Sequence, residues 1–252
     1  MSNSRRARWE SVYDDLRRKI DEGSLGPGDQ LPGEFALAEE HGVSRSTIRT
    51  AVTRLVQDGL VTEGRGRLGR TVRRTESLKW ELSKFERGER GDDPARGVDA
   101  WGLGVEEQGR TPGETIKVSI EPAPSYVAER LELPVHELVV RRHRIRTIDD
   151  VPFQLSTSWF PEDIARGTPL MEERTVTMNG GILAASGFPQ RRLRDEITVR
   201  MPLPDESREL KLPVATPVAQ HTRIGYGDDR PVRCMVSIAP GDRHVLIYEM
   251  EA

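Results

Sequence analysis

Two helical segments follow each other with almost no connecting chain, and this spacing constrains the N-terminal fold more than any other feature. Residues 33–41 form a short segment with apolar residues at its centre, and it ends at Gly42. Glycine adopts the tight turn that lets another helix begin at once. Ser44 follows, and its hydroxyl can accept a hydrogen bond from an otherwise unpaired backbone N–H of the next helix. The pattern predicts a helix-turn-helix.

The predicted third helix has one apolar face. That face comprises Ile48, Ala51, Val52 and Leu55 at helical spacing, and the opposite face carries Ser46, Arg49, Thr50 and Thr53. An amphipathic helix over residues 9–20 precedes the pair, and two short strands follow it at residues 60–63 and 71–74, joined by a glycine- and arginine-rich loop. Three helices and a basic hairpin form a winged helix-turn-helix.

The charge distribution supports contact between this segment and nucleic acid. The chain has a formal net charge of -3, yet residues 1–74 carry 14 Lys and Arg against 11 Asp and Glu. A basic patch on an acidic protein is expected when one module touches phosphate. Arg45 and Arg49 lie where a recognition helix reaches base edges, and the wing loop adds Arg65, Arg67 and Arg70. The alternative for the wing is a solvated hairpin without a partner.

The wing glycines also match the spacing of a dinucleotide-binding loop. Gly64, Gly66 and Gly69 fit G-x-G-x-x-G, and a strand precedes them. That loop must open a helix within a βαβ unit, whereas an arginine-bearing strand pattern follows here. We therefore interpret these glycines as the tip of a wing, and we expect no cofactor.

The remainder of the chain changes to strand patterns separated by turns. Six such segments and two helical stretches, residues 125–133 and 180–186, predict an α+β domain built on one antiparallel sheet. A polar stretch before them predicts a linker with a short helix around Leu78–Phe85. The expected division is a winged helix-turn-helix over 1–74, a linker over 75–99, and an effector-binding and dimerisation domain over 100–252.

One of these strands carries an unusual set of charges. Arg142, Arg144 and Arg146 face the same side of a strand, because alternate residues share a face. Three like charges on one face repel each other, so the face must meet water, an anion or an acidic partner. The pattern predicts a ligand role for at least one of them.

Little in the sequence suggests catalysis. The five histidines lack metal-ligand spacing, and the lone Cys234 excludes both a CxxC zinc site and an internal disulfide. We expect Cys234 to pack in a strand, and we expect neither a metal nor an enzyme activity. No apolar run reaches the length of a membrane span and no signal peptide is recognisable, so a cytoplasmic location is expected.

The N-terminal segment resembles the head of GntR-family bacterial regulators. The resemblance covers residues 13–61 and includes the turn PGDQLP and the recognition entry GVSRSTIR. Carried over position by position, it implies the following DNA-contacting residues: Ser44, Arg45, Thr47, Arg49, Arg65 and Gly66. Together with the residues above, the expected DNA-binding set is Ser44, Arg45, Ser46, Thr47, Arg49, Arg65, Gly66, Arg67 and Arg70. Gly33 departs from a usual capping serine, and Phe35 departs from a usual DNA-contacting arginine.

The C-terminal part is similar to the effector domain of the HutC subfamily, called UTRA, whose fold resembles chorismate lyase. The matching stretches are residues 127–134, 144–161, 180–187 and 229–251. In that family an RxR element binds the anionic group of a small effector, which implies a role for Arg144 and Arg146. The expected effector-binding set is Arg144, Arg146, Ser156, Ser158 and Arg233. Ser156 and Arg233 replace acidic residues of sugar-phosphate sensors, and Ala239 replaces an aromatic, so an amino-sugar phosphate fits this pocket poorly.

The resemblance implies a homodimeric repressor, of actinobacterial type, that an anionic small molecule releases from operator DNA. The excess of Arg over Lys, 33 against 5, is consistent with that source. Two alternatives stay open. One is an effector-independent repressor whose pocket is vestigial, and the other is an enzyme related to chorismate lyase.

Overall fold

The computed structural model describes residues 7–62, 64, 69–73, 77–83, 98–178, 180–214 and 216–249. Its contacts divide the chain into two compact units, which we call the head and the effector unit. The head comprises residues 1–76 with 213–216, and the effector unit comprises residues 77–212 with 217–252. The wing residues Arg65, Gly66 and Arg67 lie outside the described residues.

Eight helices and eight strands form the described part of the two units. The helices are α1 (Arg8–Asp21), α2 (Glu34–His41), α3 (Arg45–Gln57), α4 (Ala100–Glu106), α5 (Ser125–Leu131), α6 (Glu162–Ala165), α7 (Ile182–Ala185) and α8 (Pro204–Glu209). The strands are β1 (Leu78–Glu81), β2 (Pro112–Pro122), β3 (Leu138–Ile148), β4 (Val151–Pro161), β5 (Arg192–Arg200), β6 (Val218–Tyr226), β7 (Pro231–Pro240) and β8 (His244–Ile247).

The head is built on the predicted helix-turn-helix. Helix α2 ends at Gly42 in the left-handed conformation, with φ of 61°, and α3 starts three residues later. The apolar face of α3 is buried and packs with residues of α1 and α2, including Leu16 and Leu37. Full burial of such a side chain contributes about 1.5–3 kcal/mol. Backbone bridges join Val61 to Val72 and Gln30 to Thr71, which closes the base of the wing.

The effector unit is organised around one six-stranded antiparallel sheet. Its strand order is β2-β3-β4-β7-β6-β5. Helix α5 packs against one face, where Val139, Trp159 and Cys234 are buried. The expected packing role of Cys234 is therefore confirmed. The other face of the same strands carries the arginines of β3.

The predicted short helix around Leu78–Phe85 is wrong for its described part. Residues 78–81 form β1, which pairs in parallel with β8 in a separate two-stranded sheet. Leu78 and Trp80 are buried whereas Lys79 and Glu81 are exposed, and this period of two suits a strand. A strand with so few residues depends on its partner, and that partner lies more than 160 residues away in the sequence.

The Ser44 cap is expected to stabilise the head measurably. Its Oγ accepts a hydrogen bond from the backbone N–H of Thr47 at 3.2 Å. Ser44→Ala should lower the free energy of unfolding of the head by about 1 kcal/mol. Urea unfolding of the full chain, followed by circular dichroism, measures this change. Thr53→Ala is the matched control, since Thr53 is an exposed residue in the middle of the same helix. Equal stability of the two variants would contradict the cap.

Candidate DNA-binding surface and anion pocket

The start of α3 presents a polar surface to solvent. The side chains of Arg45 and Arg49 are 64% and 62% exposed. The Ser44 hydroxyl lies 2.8 Å from the hydroxyls of both Ser46 and Thr47, so these three side chains form one hydrogen-bonded group at the helix N-terminus. The described residues of the predicted DNA-binding set on α3 are thus on one accessible helix end.

A carboxylate of α2 links α3 to the wing. Glu34 accepts hydrogen bonds from Arg49 Nη2 at 3.0 Å and from Arg70 Nη1 at 3.2 Å. Arg45 Nη2 lies 4.0 Å from the same carboxylate. The hydrogen bond from Arg49 lowers the pKa of Glu34, burial opposes this, and the Arg70 contact lowers it further. The ionised Glu34 therefore holds three cationic side chains of two elements on one surface.

Gly33 and Phe35, the two departures from the GntR-family pattern, each change the N-terminal end of α2. Gly33 is the N-cap residue of α2 and supplies no side-chain acceptor there. Phe35 is 72% exposed, so an apolar ring occupies the surface next to Glu34. An arginine at that position would add a cation that this head lacks.

The wing base depends on two glycines in the left-handed conformation. Gly64 and Gly69 have φ values of 74° and 62°. A Cβ on Gly64 would lie 2.9 Å from the carbonyl oxygen of Gly69, and a Cβ on Gly69 would lie 2.6 Å from Gln30 Nε2. Extended backbone follows at residues 71–72. Gly64 thus permits close backbone approach at the wing base, and the positive φ of both residues favours glycine.

The arginine-bearing face of the sheet lines a pocket in the effector unit. Residues paired across neighbouring antiparallel strands share a face, and two rows of paired residues form the floor. The first row is Arg144, Ser156, Ser237 and His221 on β3, β4, β7 and β6. The second row is Arg142, Ser158, Met235 and Arg223 on the same strands. All five predicted effector-binding residues line this cavity of about 110 Å³. It has room for several waters, or for a small ligand in their place.

Asp99 neutralises the arginine pair at one end of the pocket. Arg146 donates to both carboxylate oxygens, from Nη2 at 2.8 Å and from Nη1 at 3.3 Å, and Arg144 Nη1 donates at 3.3 Å. Burial alone would raise the pKa of Asp99, but the charges of Arg146 and Arg144 lower it to about 2. Glu114 Oε2 lies 3.6 Å from Arg144 Nη1. The pair therefore faces two carboxylates.

The Arg142 side chain is buried and hydrogen-bonded to backbone carbonyls. Its side chain is 1% exposed, and its Nη1 donates to the carbonyls of Leu170 and Glu172 at 2.5 and 2.6 Å, while Nη2 donates to that of Arg174 at 3.2 Å. Burial and the nearby Arg144 charge lower the pKa of Arg142 to about 10. Arg142 thus fastens residues 170–174 to β3. The backbone oxygens around Arg142 also relieve the repulsion expected among the three arginines.

The remaining predicted residues, Ser156, Ser158 and Arg233, lie on the same floor on β4 and β7. Arg233 donates from Nε and Nη2 to Ser158 Oγ at 3.1 and 2.9 Å. The hydroxyls of Ser156 and Ser237 are hydrogen-bonded at 3.3 Å. Hydroxyls and a guanidinium group so placed can donate to ligand oxygens.

Sequence reasoning missed three acidic residues and a histidine at this site. Asp99 was the last residue of the predicted linker, and Glu114 and Asp195 were ordinary strand residues. Asp195 accepts from Arg223 at 2.6 and 2.7 Å, and its Oδ1 is 2.9 Å from Nε2 of the buried His221. Burial opposes ionisation, but these two partners hold the pKa of Asp195 far below its usual value. Strand register brings Glu114, Asp195 and His221 to this face, and the position of α4 brings Asp99, so no local signal could have found them.

Three neighbouring side chains in the head are of types that bind metal ions, but an ammonium group lies among them. Asp15, Glu40 and His41 bring donor atoms within 4.8 Å of one another. Lys19 Nζ lies 3.1 Å from Asp15 and 2.6 Å from Glu40, so an ammonium group already supplies the cation. We interpret the cluster as an ion-pair network between α1 and α2.

Comparison with known families agrees with both units. The model of the bacterial regulatory proteins of the gntR family matches residues 9–67, and the UTRA domain model matches residues 107–245. The chain belongs to the GntR family. Its UTRA domain places it among the HutC-type members, and it is a DNA-binding transcriptional regulator. The predicted fold, a winged helix-turn-helix followed by an antiparallel-sheet UTRA domain, is confirmed.

Relatives of this GntR regulator extend over nearly the whole chain. An uncharacterized HTH-type transcriptional regulator of Streptomyces coelicolor is 27% identical over 97% of this chain and 93% of its own length. The mannosyl-D-glycerate transport/metabolism system repressor MngR of Escherichia coli is 27% identical, with 86% and 85% covered. The crystal structure of PhnF from Mycobacterium smegmatis aligns with a TM-score of 0.58 at 25% identity, with 96% and 99% covered. Within the described residues, no helix is both long and apolar enough to cross a membrane.

The contact of Asp99 with the arginine pair should make stability depend on pH. The folded pKa is depressed from 3.8 to about 2, so the stabilisation is present above pH 4 and is lost as the pH falls toward 2. Asp99→Asn should therefore lower the free energy of unfolding of the effector unit by about 2 kcal/mol at pH 7. The difference from the wild-type chain should shrink between pH 4 and pH 2.

Urea unfolding followed by tryptophan fluorescence measures this change, because three of the four tryptophans, Trp80, Trp101 and Trp159, lie in the effector unit. Asp205→Asn is the control, since Asp205 pairs with Arg208 on the surface with both side chains more than 70% exposed. A pH-independent difference between Asp99→Asn and wild type would show that the charge of Asp99 does not stabilise the fold.

Proposed function

We propose that this regulator is a repressor and that a small anionic effector, bound in the pocket of the UTRA domain, releases it from operator DNA. The observation that carries the proposal is the pair Arg144 and Arg146 facing a cavity. Two guanidinium groups at one end of a partly apolar pocket suit the charged group of a small metabolite. MngR of Escherichia coli and NagR of Bacillus subtilis, relatives at 27% and 22% identity, are repressors by name.

We further propose a DNA interface made by α3 and the wing. Its members are Ser44, Arg45, Ser46, Thr47, Arg49 and Arg70, with Arg65, Gly66 and Arg67 of the wing tip. The helix would lie in the major groove, where arginine can bridge two acceptors of guanine, and the wing would contact phosphate or the minor groove. Phosphate and base oxygens would replace Glu34 as partners of Arg49 and Arg70.

The domain organisation that we propose is a DNA-binding domain over residues 1–74, a connecting segment over 75–99, and an effector-binding and dimerisation domain over 100–252. A regulator of this kind acts where the chromosome is, which supports a cytoplasmic location. Two copies of the head would contact the two halves of a near-palindromic operator. An effector that reorients one head would prevent both heads from binding their half-sites at once. The second head would then lose its high effective concentration at the operator, and the DNA would be released.

The homodimer that this mechanism requires has a candidate surface on β5. This strand ends the order of the six-stranded sheet. Ile197 and Val199 of this strand, and Met201 directly after it, are apolar side chains that are 47%, 74% and 58% exposed. Antiparallel approach of two copies about Val199 would set Ile197 of each copy beside Met201 of the other, so the surface is self-complementary under a twofold axis.

The pocket geometry favours binding over turnover, so we propose that the protein is not an enzyme. The carboxylates Asp99 and Asp195 are held ionised by arginines, and Glu114 lies beside Arg144. A general acid or base instead needs a pKa near the working pH. The absence of chorismate turnover by purified protein would support this proposal, and measurable pyruvate release would overturn it.

The DNA interface predicts a specific loss on mutation of Arg49. Arg49→Ala should weaken operator binding by about 1–3 kcal/mol, because a base-edge contact is removed. Gel shifts measure the change. The DNA is a genomic fragment from the source organism that the wild-type protein binds in a salt-sensitive manner. Arg54→Ala is the matched control on the same helix, where Arg54 pairs with Asp58. Equal affinity of Arg49→Ala and wild type would remove Arg49 from the interface.

The dimer surface predicts a change of oligomeric state. Val199→Glu should convert the dimer to monomers, because carboxylates would meet in an apolar contact. Sedimentation velocity of the full chain measures this. Thr198→Glu, which changes the neighbouring exposed residue on the opposite side of the strand, should leave the dimer intact. A Val199→Glu variant that stays dimeric would place the interface elsewhere.

A further inference from the structure

We propose that Asp99 occupies the effector's anion site in the free protein and that the effector, a small carboxylate, must expel it to bind. This inference rests on the proposed function and specifies its ligand class and its switch. Asp99 is a carboxylate of the chain itself, and it contacts both arginines of the pair through hydrogen bonds of 2.8–3.3 Å. An effector carboxylate and Asp99 cannot make these bonds to the same guanidinium edge at once.

Asp99 also caps helix α4, and this contact couples the pocket to the backbone. It is the N-cap residue of α4, and its Oδ1 accepts from the backbone N–H of Gly102 at 2.9 Å. The same oxygen accepts from Arg146 Nη1 at 3.3 Å. Trp101 of this helix lies under the Arg146 guanidinium, whose Cζ is 4.6 Å from the ring centroid. Expulsion of Asp99 would therefore remove the cap of α4 and loosen its first turn from β3.

The position of α4 in the chain explains how this loosening could reach the DNA. Helix α4 directly follows the segment 75–99 that we propose as the connection to the DNA-binding domain. Asp99 is the last residue of that segment. A ligand that exchanges with Asp99 thus acts on the end of the connection without having to contact the head. This is an equilibrium between an internal and an external carboxylate for one site.

The geometry of the arginine pair favours a carboxylate as the ligand. Asp99 already shows the match, because its two oxygens accept hydrogen bonds from both guanidinium groups. An external carboxylate that replaces Asp99 leaves the charge at this pair unchanged. The neighbouring Trp101, Phe160 and Leu183 line the pocket and suit an apolar or aromatic body on that carboxylate.

The test is to remove the internal carboxylate and measure binding of external anions. Asp99→Asn retains a side chain that can cap α4 but lacks the charge, and Asp99→Ser retains a cap that is shorter. Calorimetric titration with benzoate, acetate and inorganic phosphate at pH 7 would compare these variants with the wild-type chain. If the internal carboxylate fills the site at least nine-tenths of the time, both variants should bind benzoate at least about tenfold more tightly than wild type. Acetate should follow the same direction, and phosphate should gain less.

Asp149→Asn is the matched control. Asp149 accepts from Arg110 at 2.9 Å and from the backbone N–H of Thr111 at 3.0 Å, so it has the same kinds of partner outside the pocket. Its removal should leave benzoate affinity unchanged. Unchanged benzoate affinity in both Asp99 variants, shown to be folded by circular dichroism, would overturn the proposal. A gain for phosphate alone would overturn the carboxylate class.

Operator binding separates this inference from the proposed function. Gel shifts of wild-type protein test the proposed function directly. A wild-type chain that retards no genomic duplex would refute that function, even if the Asp99 variants gained carboxylate affinity. A wild-type chain that binds its operator, with Asp99 variants indistinguishable from it in both operator and benzoate affinity, would refute the switch and leave the DNA-binding function standing.

Discussion

The effector unit is organised around the need to neutralise arginines that one strand places on one face. Alternation along β3 puts Arg142, Arg144 and Arg146 together, and their mutual repulsion would be severe without partners in a partly dry cavity. Each receives oxygen ligands from a different part of the chain. The carbonyls of residues 170–174 surround Arg142, while Glu114 and Asp99 face the other two. Loop, neighbouring strand and α4 are thus held to the sheet by the same three charges.

In the head, the single residue Glu34 neutralises neighbouring arginines in a similar way. In the proposed interface Arg49 of α3 and Arg70 of the wing both contact DNA, and in the free protein their charges are close together. Glu34 lies between them and binds both. Ionic partners at an exposed surface contribute little to stability, so the effect of Glu34 is better understood as orientation. It keeps two elements that are distant in sequence facing the same way before DNA arrives.

Much of this architecture could be predicted from local patterns. The helical spacing of Ile48, Ala51, Val52 and Leu55 identified the buried face of α3, and alternation identified the strands that place Arg144 and Ser156 on one face. What local patterns could not supply was pairing across long distances. Strand β1 was misassigned because its partner β8 lies near the other end of the chain. Asp99 was missed because a single aspartate at the end of a predicted linker indicates nothing about the arginines more than 40 residues away.

The two units therefore share one physical feature: the cations that would meet an external anion are already bound to an internal one. In the pocket, Asp99 pairs with the buried charges of Arg144 and Arg146 in the free state, so these charges do not oppose folding in the absence of ligand. The affinity of the pocket for a ligand is then the difference between two similar interactions rather than the full strength of one. Small differences of this kind are easily reversed by concentration, which is what a regulator of reversible DNA binding needs. An empty pair of arginines would bind anions indiscriminately, whereas an occupied pair responds only to an anion that also fits the pocket beside it.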